Sequence, residues 1–199
     1  RASDAREREF VRIILHRIYS SFISLRVQIR RVVFYAFHSY VDSGQRHPGV
    51  FDLLQLLVSI VNGLSTPLAD RHVFDFDRYV LLLLKAPHFA EFYVPFIECV
   101  SRYLEREPTL AQMVFSAMSR YWPTANSLKE VCFVDALEEL VCGLSNDVLA
   151  EVLDVAFQLL ARALGSANFR VCERALCCFN NDNFVVAVDD FLPDVLPLL

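Results

Sequence analysis

The chain has 199 residues, 55% of them hydrophobic and 22% charged, with a net charge of −5. That balance excludes a mainly disordered chain, and five glycines with eight prolines are too few for an all-β fold built on tight turns. Residues 1–46 hold nine arginines against four carboxylates, whereas residues 47–199 hold ten basic and twenty acidic groups, so an acidic partner is expected for the N-terminal part.

Apolar residues recur with a helical period along the whole chain. A first helix is predicted over 4–20, where Asp4 and Glu7 have the spacing of a capping box. It places Arg12, His16 and Tyr19 at i, i+4 and i+7, one stripe, with Arg17 and Arg26 close by. Cations beside an aromatic body and a hydroxyl can hold a peptide carboxylate next to an apolar side chain. The plainer reading of the same residues is a packed tyrosine among solvated arginines. A second helix is predicted over 23–42. The third, 48–63, is apolar on almost every side and so is expected to lie sandwiched between neighbours. The next, 70–85, contains the longest aliphatic run, Val80–Leu84, far too short to span a bilayer.

The helix over 88–106 carries the stripe Phe89, Phe92, Tyr93, Phe96, Ile97, Val100 and Leu104. Two more follow at 109–121 and 128–143, opened by Thr109 with Gln112 and by Ser127 with Glu130, again at capping-box spacing. The stripe Leu149, Val152, Leu153, Ala156, Leu159, Leu160 and Ala163 marks a helix over 147–164. The last two are predicted over 168–179 and 182–198, the latter interrupted by Pro193 and Pro197. Pro48, Pro108 and Pro123 mark breaks or first turns, and Gly63, Gly143 and Gly165 close helices. No strand run is evident.

Ten helices on short links predict an all-α fold, a HEAT-like helical-repeat solenoid of antiparallel helix pairs repeating about every 40 residues. Residues 1–199 would form a single α-solenoid domain of about five pairs, a portion of a longer array. A globular all-α bundle is the structural alternative. No nucleophile elbow, phosphate loop, zinc-protease motif or dinucleotide fingerprint is present, so no enzyme and no cofactor is expected. Glu138 and Glu139 are neighbours that do not face each other on a helix, and His38, His47 and His88 stand alone. Six cysteines lack metal-ligand spacing, which predicts buried free thiols in a reducing compartment, cytoplasmic and/or nuclear. Neither a nucleic-acid motif nor a membrane segment is read.

The stretch DAREREFVRIILHRIYSSFISLRVQIRR resembles the regulatory B-prime subunits of protein phosphatase 2A. So do SIVNGLSTPL (59–68), YWPTANSLKEVCFVDALEEL (121–140) and FRVCERALCCFNND (169–182), in the same order. The resemblance covers essentially the whole chain but only the middle of a typical family member. It implies a non-catalytic, substrate-targeting solenoid that meets the phosphatase scaffold and catalytic subunits and binds short Leu-x-x-Ile-x-Glu motifs of client proteins. The same resemblance implies motif-binding roles for His16, Tyr19, Leu56 and Ile60 at the apolar pockets and for Arg26 at the isoleucine and acidic side. It further implies His72 at the motif's glutamate, with Arg12, Arg17 and Arg30 as basic groove positions. Ala69 stands where the family usually has a lysine, the loop 40–49 lacks the family's acidic cluster, and Phe179 stands where a tryptophan is usual. The alternative function is a helical-repeat scaffold that has lost motif binding and only contacts protein partners.

Overall fold

The computed structural model describes residues 4–191, and every element among them is helical. By contacts the chain divides between Glu107 and Pro108 into two compact units. The first contains α1 (Ala5–Ser21), a 3-10 turn (Ile23–Leu25), α2 (Arg26–Ser43), α3 (Gly49–Val61) and α4 (Asp70–Asp75). Helix α4 runs on into a π turn (Phe76–Val80) and a 3-10 turn (Leu81–Lys85), and the unit ends with α5 (Tyr93–Arg106). The second unit contains α6 (Ala111–Arg120), α7 (Ser127–Gly143), α8 (Asn146–Leu164), α9 (Phe169–Cys177) and α10 (Asp182–Val188).

Within each unit, helices two apart in sequence stack on each other. Helix α3 packs on both α1 and α5, while α6 packs on α8 and α7 on α9. That is the packing order of an all-α helical-repeat array, in which each element touches its neighbours along the stack. Helix α3 also touches α2, which accounts for its nearly all-round apolar sequence: Leu54, Leu56, Leu57, Ile60 and Val61 are all buried. Each such side chain contributes about 1.5–3 kcal/mol by leaving water. The stripe predicted for α8 is buried at all seven positions. That of α5 is buried except at Tyr93, which is half-buried, and its first residues form a separate 3-10 turn (Phe89–Glu91).

Three helix starts compare with their predicted caps in instructive ways. Asp4 does cap α1, its carboxylate accepting from Arg6 N–H at 2.9 Å. Helix α7 is capped one residue earlier than predicted, by Asn126, which has the extended backbone a cap needs and accepts from Lys129 N–H at 3.1 Å. Thr109 lies inside a 3-10 turn (Pro108–Leu110), so the residue preceding α6 is Leu110, with helical backbone and no side-chain cap. The helix predicted over 70–85 is three windings instead of one. Its buried positions Phe76, Val80, Leu81, Leu83 and Leu84 span more than one stripe, and the wider and then tighter turns re-aim successive side chains inward. The last predicted helix ends at Val188, followed by a 3-10 turn (Asp189–Phe191); Pro193 and Pro197 lie outside the described residues.

The six cysteines are free, and Cys99, Cys132 and Cys178 are buried as predicted. Cys142 and Cys172 are half-buried, and Cys177 is exposed, because its place near the end of α9 falls opposite the buried pair Val171 and Ala175. No described helix is long and apolar enough to cross a membrane. Among the described residues no cluster of His, Cys, Asp and Glu could hold a metal ion.

Candidate functional site

The predicted stripe on α1 is not uniform in exposure. Tyr19 is buried, whereas His16 and Arg17 are exposed. Tyr19 is the hub. Arg26 Nε donates to its carbonyl at 2.9 Å, a terminal nitrogen of Arg26 donates to the Ser20 carbonyl at 3.2 Å, and the guanidinium lies 5.3 Å from the Tyr19 ring centre. Arg30, one turn further along α2, donates to the Tyr19 hydroxyl at 2.7 Å. The short 3-10 turn between the helices brings these groups together.

Both arginines are therefore fixed by neutral acceptors. Hydrogen bonds to carbonyls and to a hydroxyl orient a guanidinium without cancelling its charge, which remains available to an anion. Arg30 Nε is buried and has no hydrogen-bond partner among the described residues. His72, half-buried on α4, is held below the ordinary histidine range by burial and then by the positive charge of Arg30. It is therefore neutral near pH 7.

Arg12 behaves differently. It forms a bidentate pair with Glu9, at 2.8 and 2.6 Å, and each group strengthens the charged form of the other through that hydrogen bond. Arg12 lines an apolar groove between α1 and α3 together with Val11, Leu15, Leu53 and Leu56. Arg8 and Asp52, paired at 2.9 Å, also border it. Leu56 and Ile60 lie on α3 one turn apart and are 0% and 2% exposed. Ala69, the residue before α4, is exposed. The loop leading to it is held by Arg106, which donates to the carbonyls of Asn62 and Leu64 at 2.6 and 3.1 Å. Of the predicted residues, the structure thus unites Tyr19, Arg26 and Arg30, with His72 close enough to feel Arg30. Arg12 and Leu56 share the α1–α3 groove.

Three features lie outside the sequence-based expectations. Arg106 as a clasp on the 62–64 loop has no local signal, because its partners are more than 40 residues away. The pairing of Arg12 with Glu9 does have one, since the two are three apart on one helix. The third is a second groove, between α2 and the α4–π segment, lined by Arg30, Arg31, Phe34, Tyr35, His38, Arg71, Phe74, Asp75 and Tyr79. His38 does not stand alone there: its Nδ1 pairs with Asp42 at 3.0 Å and its ring meets Tyr79 edge-on.

The whole chain, residues 1–199, matches the family model of the protein phosphatase 2A regulatory B subunit (B56 family). It is 34% identical to a rabbit relative, the serine/threonine-protein phosphatase 2A 56 kDa regulatory subunit delta isoform, over 100% of this chain and 34% of that protein. The delta 1 isoform of the 56 kDa regulatory subunit from Schizosaccharomyces pombe is also 34% identical, over 100% of this chain and 36% of its own length. The Dictyostelium discoideum regulatory subunit psrA is 36% identical over 94% of this chain and 30% of its own length. The chain thus spans about a third of the length of these relatives.

Proposed function

The chain belongs to the B56 family of protein phosphatase 2A regulatory B subunits, and on that premise we propose that it is a non-catalytic, substrate-targeting subunit of that phosphatase. It recruits clients by holding a short Leu-x-x-Ile-x-Glu segment along α1, α2 and α3. The observation that carries this reading is the double anchoring of Arg26 and Arg30 on Tyr19, which orients two cations while leaving their charge uncancelled. The apolar groove at Leu56 lies on the neighbouring face of α3 and is suited to an aliphatic side chain. The motif's glutamate then lies at His72 and the Arg30 field. A tethered catalytic subunit meets phosphorylated sites near the motif at high effective concentration, so recruitment alone gives selectivity. The catalytic and scaffold subunits are the proposed assembly partners, and the compartment is cytoplasmic and/or nuclear.

The test is a fluorescence anisotropy titration of a labelled Leu-x-x-Ile-x-Glu peptide, with a Glu→Ala peptide as control. Micromolar binding is expected, as for a disordered segment that orders on binding. It should be lost in the control and in Arg26→Ala and His16→Ala, with helical content unchanged. Absence of binding by the well-folded chain would favour the second reading, a scaffold that has lost motif capture. That reading is favoured by exposed Ala69 in place of the family's usual lysine.

A further inference from the structure

The groove between α2 and the α4–π segment is distinct from the apolar one at Leu56. Arg30 is its single residue in common with the motif-binding set. Its floor is a stacked pair, Phe34 and Tyr79, with ring centres 5.3 Å apart and planes at 15°. Two rings at its edge are unusually open: Tyr35 is 74% and Phe74 61% exposed. Three guanidiniums line the same groove, on Arg30, Arg31 and Arg71.

The charge in this groove is unbalanced. Asp75 is the one carboxylate in the lining, and it is buried and lies 3.9 Å from Arg71. Burial pushes its carboxyl upward while Arg71 and Arg30 pull it back down, and this one carboxylate faces three guanidiniums. Arg31 is exposed and makes no ion pair among the described residues. The buried, unpartnered Nε of Arg30 is an additional donor. Beyond the effect of its burial, neighbouring His72 feels the positive charge of Arg30, opposed there by Asp75.

We propose that this groove docks an acidic peptide segment carrying an aromatic side chain. The aromatic ring lies against Tyr35 and Phe74, and the flanking carboxylates pair with Arg31, Arg71 and Arg30. Exposed aromatic rings gain from a further ring in offset or edge contact, and guanidinium planes stack on the same ring while bonding carboxylates. A purely acidic ligand would leave the two open rings in water, and a purely apolar one would strand the cations. Nucleic acid fits less well: the chain is acidic overall, and three cations around a carboxylate do not form a track for a phosphate backbone. This goes beyond the motif-binding proposal, because it needs neither the leucine nor the isoleucine slot.

The test titrates the chain with a labelled acidic peptide containing one Phe. In parallel it uses the same peptide with Phe→Ser, a single-stranded oligonucleotide of equal charge, and the Leu-x-x-Ile-x-Glu peptide. The Phe peptide should bind, about tenfold tighter than its Ser version, a difference of about 1.4 kcal/mol. Arg71→Glu and Phe74→Ala should each remove about that factor, and Phe74→Ala should leave the Leu-x-x-Ile-x-Glu titration unchanged. Tyr35→Ala serves as a third variant if either of these loses helical content on circular dichroism. No binding of the Phe peptide overturns the proposal. So does equal binding of the Ser peptide, tighter binding of the oligonucleotide, or full affinity in the folded variants. Failure of the Leu-x-x-Ile-x-Glu peptide alone tells against the motif reading and leaves this one standing.

Discussion

Arginine does two kinds of work in this chain, and one set in each unit shows the contrast. In the first unit Arg26, Arg30 and Arg106 donate to carbonyls and a tyrosine hydroxyl. In the second, Arg174 donates to Asp135 and to buried Glu138, which also accepts from Asn181. Burial works against the Arg174 charge, but the bonds to Glu138 and Asp135 more than restore it, so it stays cationic. One arrangement orients a charge without cancelling it, and the other cancels a charge inside the fold. The chemistry of the acceptor, not of the arginine, decides which.

This contrast can be broken most directly at Arg174. Arg174→Ala leaves a buried glutamate and a half-buried aspartate without their cation. Breaking a fully buried pair costs about 3–5 kcal/mol, and partial exposure here puts the expected loss near about 3 kcal/mol in urea unfolding. A loss under about 0.5 kcal/mol, the level of an ordinary surface substitution, would mean the cluster is not structural.

Lys129 sharpens the comparison, as a buried cation in the second unit that makes no ion pair among the described residues. Its ammonium lies 5.5 Å from the Phe133 ring centre, and burial pushes its pKa down to about 8. An unfolded lysine keeps its proton up to about 10.4. Between those values the unfolded state binds more protons, so stability from this group rises with pH. From about pH 8 to about pH 9.5 the parent should therefore gain about 1.5 kcal/mol relative to Lys129→Met. A constant difference between the two proteins across that range would refute the depressed value.

In the first unit the expected effects move from stability to binding. Arg26→Ala should abolish measurable motif-peptide binding, a loss well beyond about tenfold. Its two hydrogen bonds to carbonyls carry about 1 kcal/mol of stability. Equal affinity in the variant would place Arg26 with Arg174, as a structural residue. Because His72 is neutral near pH 7 and a bound glutamate favours its charged form, motif affinity should rise as pH falls from about 7.5 to about 5.5, by about threefold. Arg30, Arg71 and Asp75 act on it throughout and His16 belongs to the same set, so the control is His72→Gln, whose pH dependence should be smaller than the parent's. The smallest effect is expected for Arg12→Ala. Its exposed partner Glu9 can return to water, so stability should change by less than about 0.5 kcal/mol in thermal melts.

Most helix positions were legible because burial and period coincide: the stripe from Leu149 to Ala163 is buried at every named position. Family membership was equally legible, since ordered motifs such as Leu-His-Arg-Ile-Tyr survive along the whole chain. Caps were less so. Asn126 and Ser127 are both good cap residues, and the backbone at Asn126 decides between them. The change of winding after Asp75 was hidden as well, because an apolar run does not say which of its faces must turn inward.

By itself, then, the sequence determined the helices, their apolar faces and the family, because each depends on residues close in the chain or on motifs read in order. Tertiary structure alone decided which distant groups the cations meet. Arg174 meets Asp135 across 39 residues, Arg106 meets Asn62 across 44, and Arg30 joins Arg71 in one groove only after α2 packs against the turns that follow α4. A charge and its acceptor are local in space and distant in sequence, and the energy of a guanidinium depends on that distance in space.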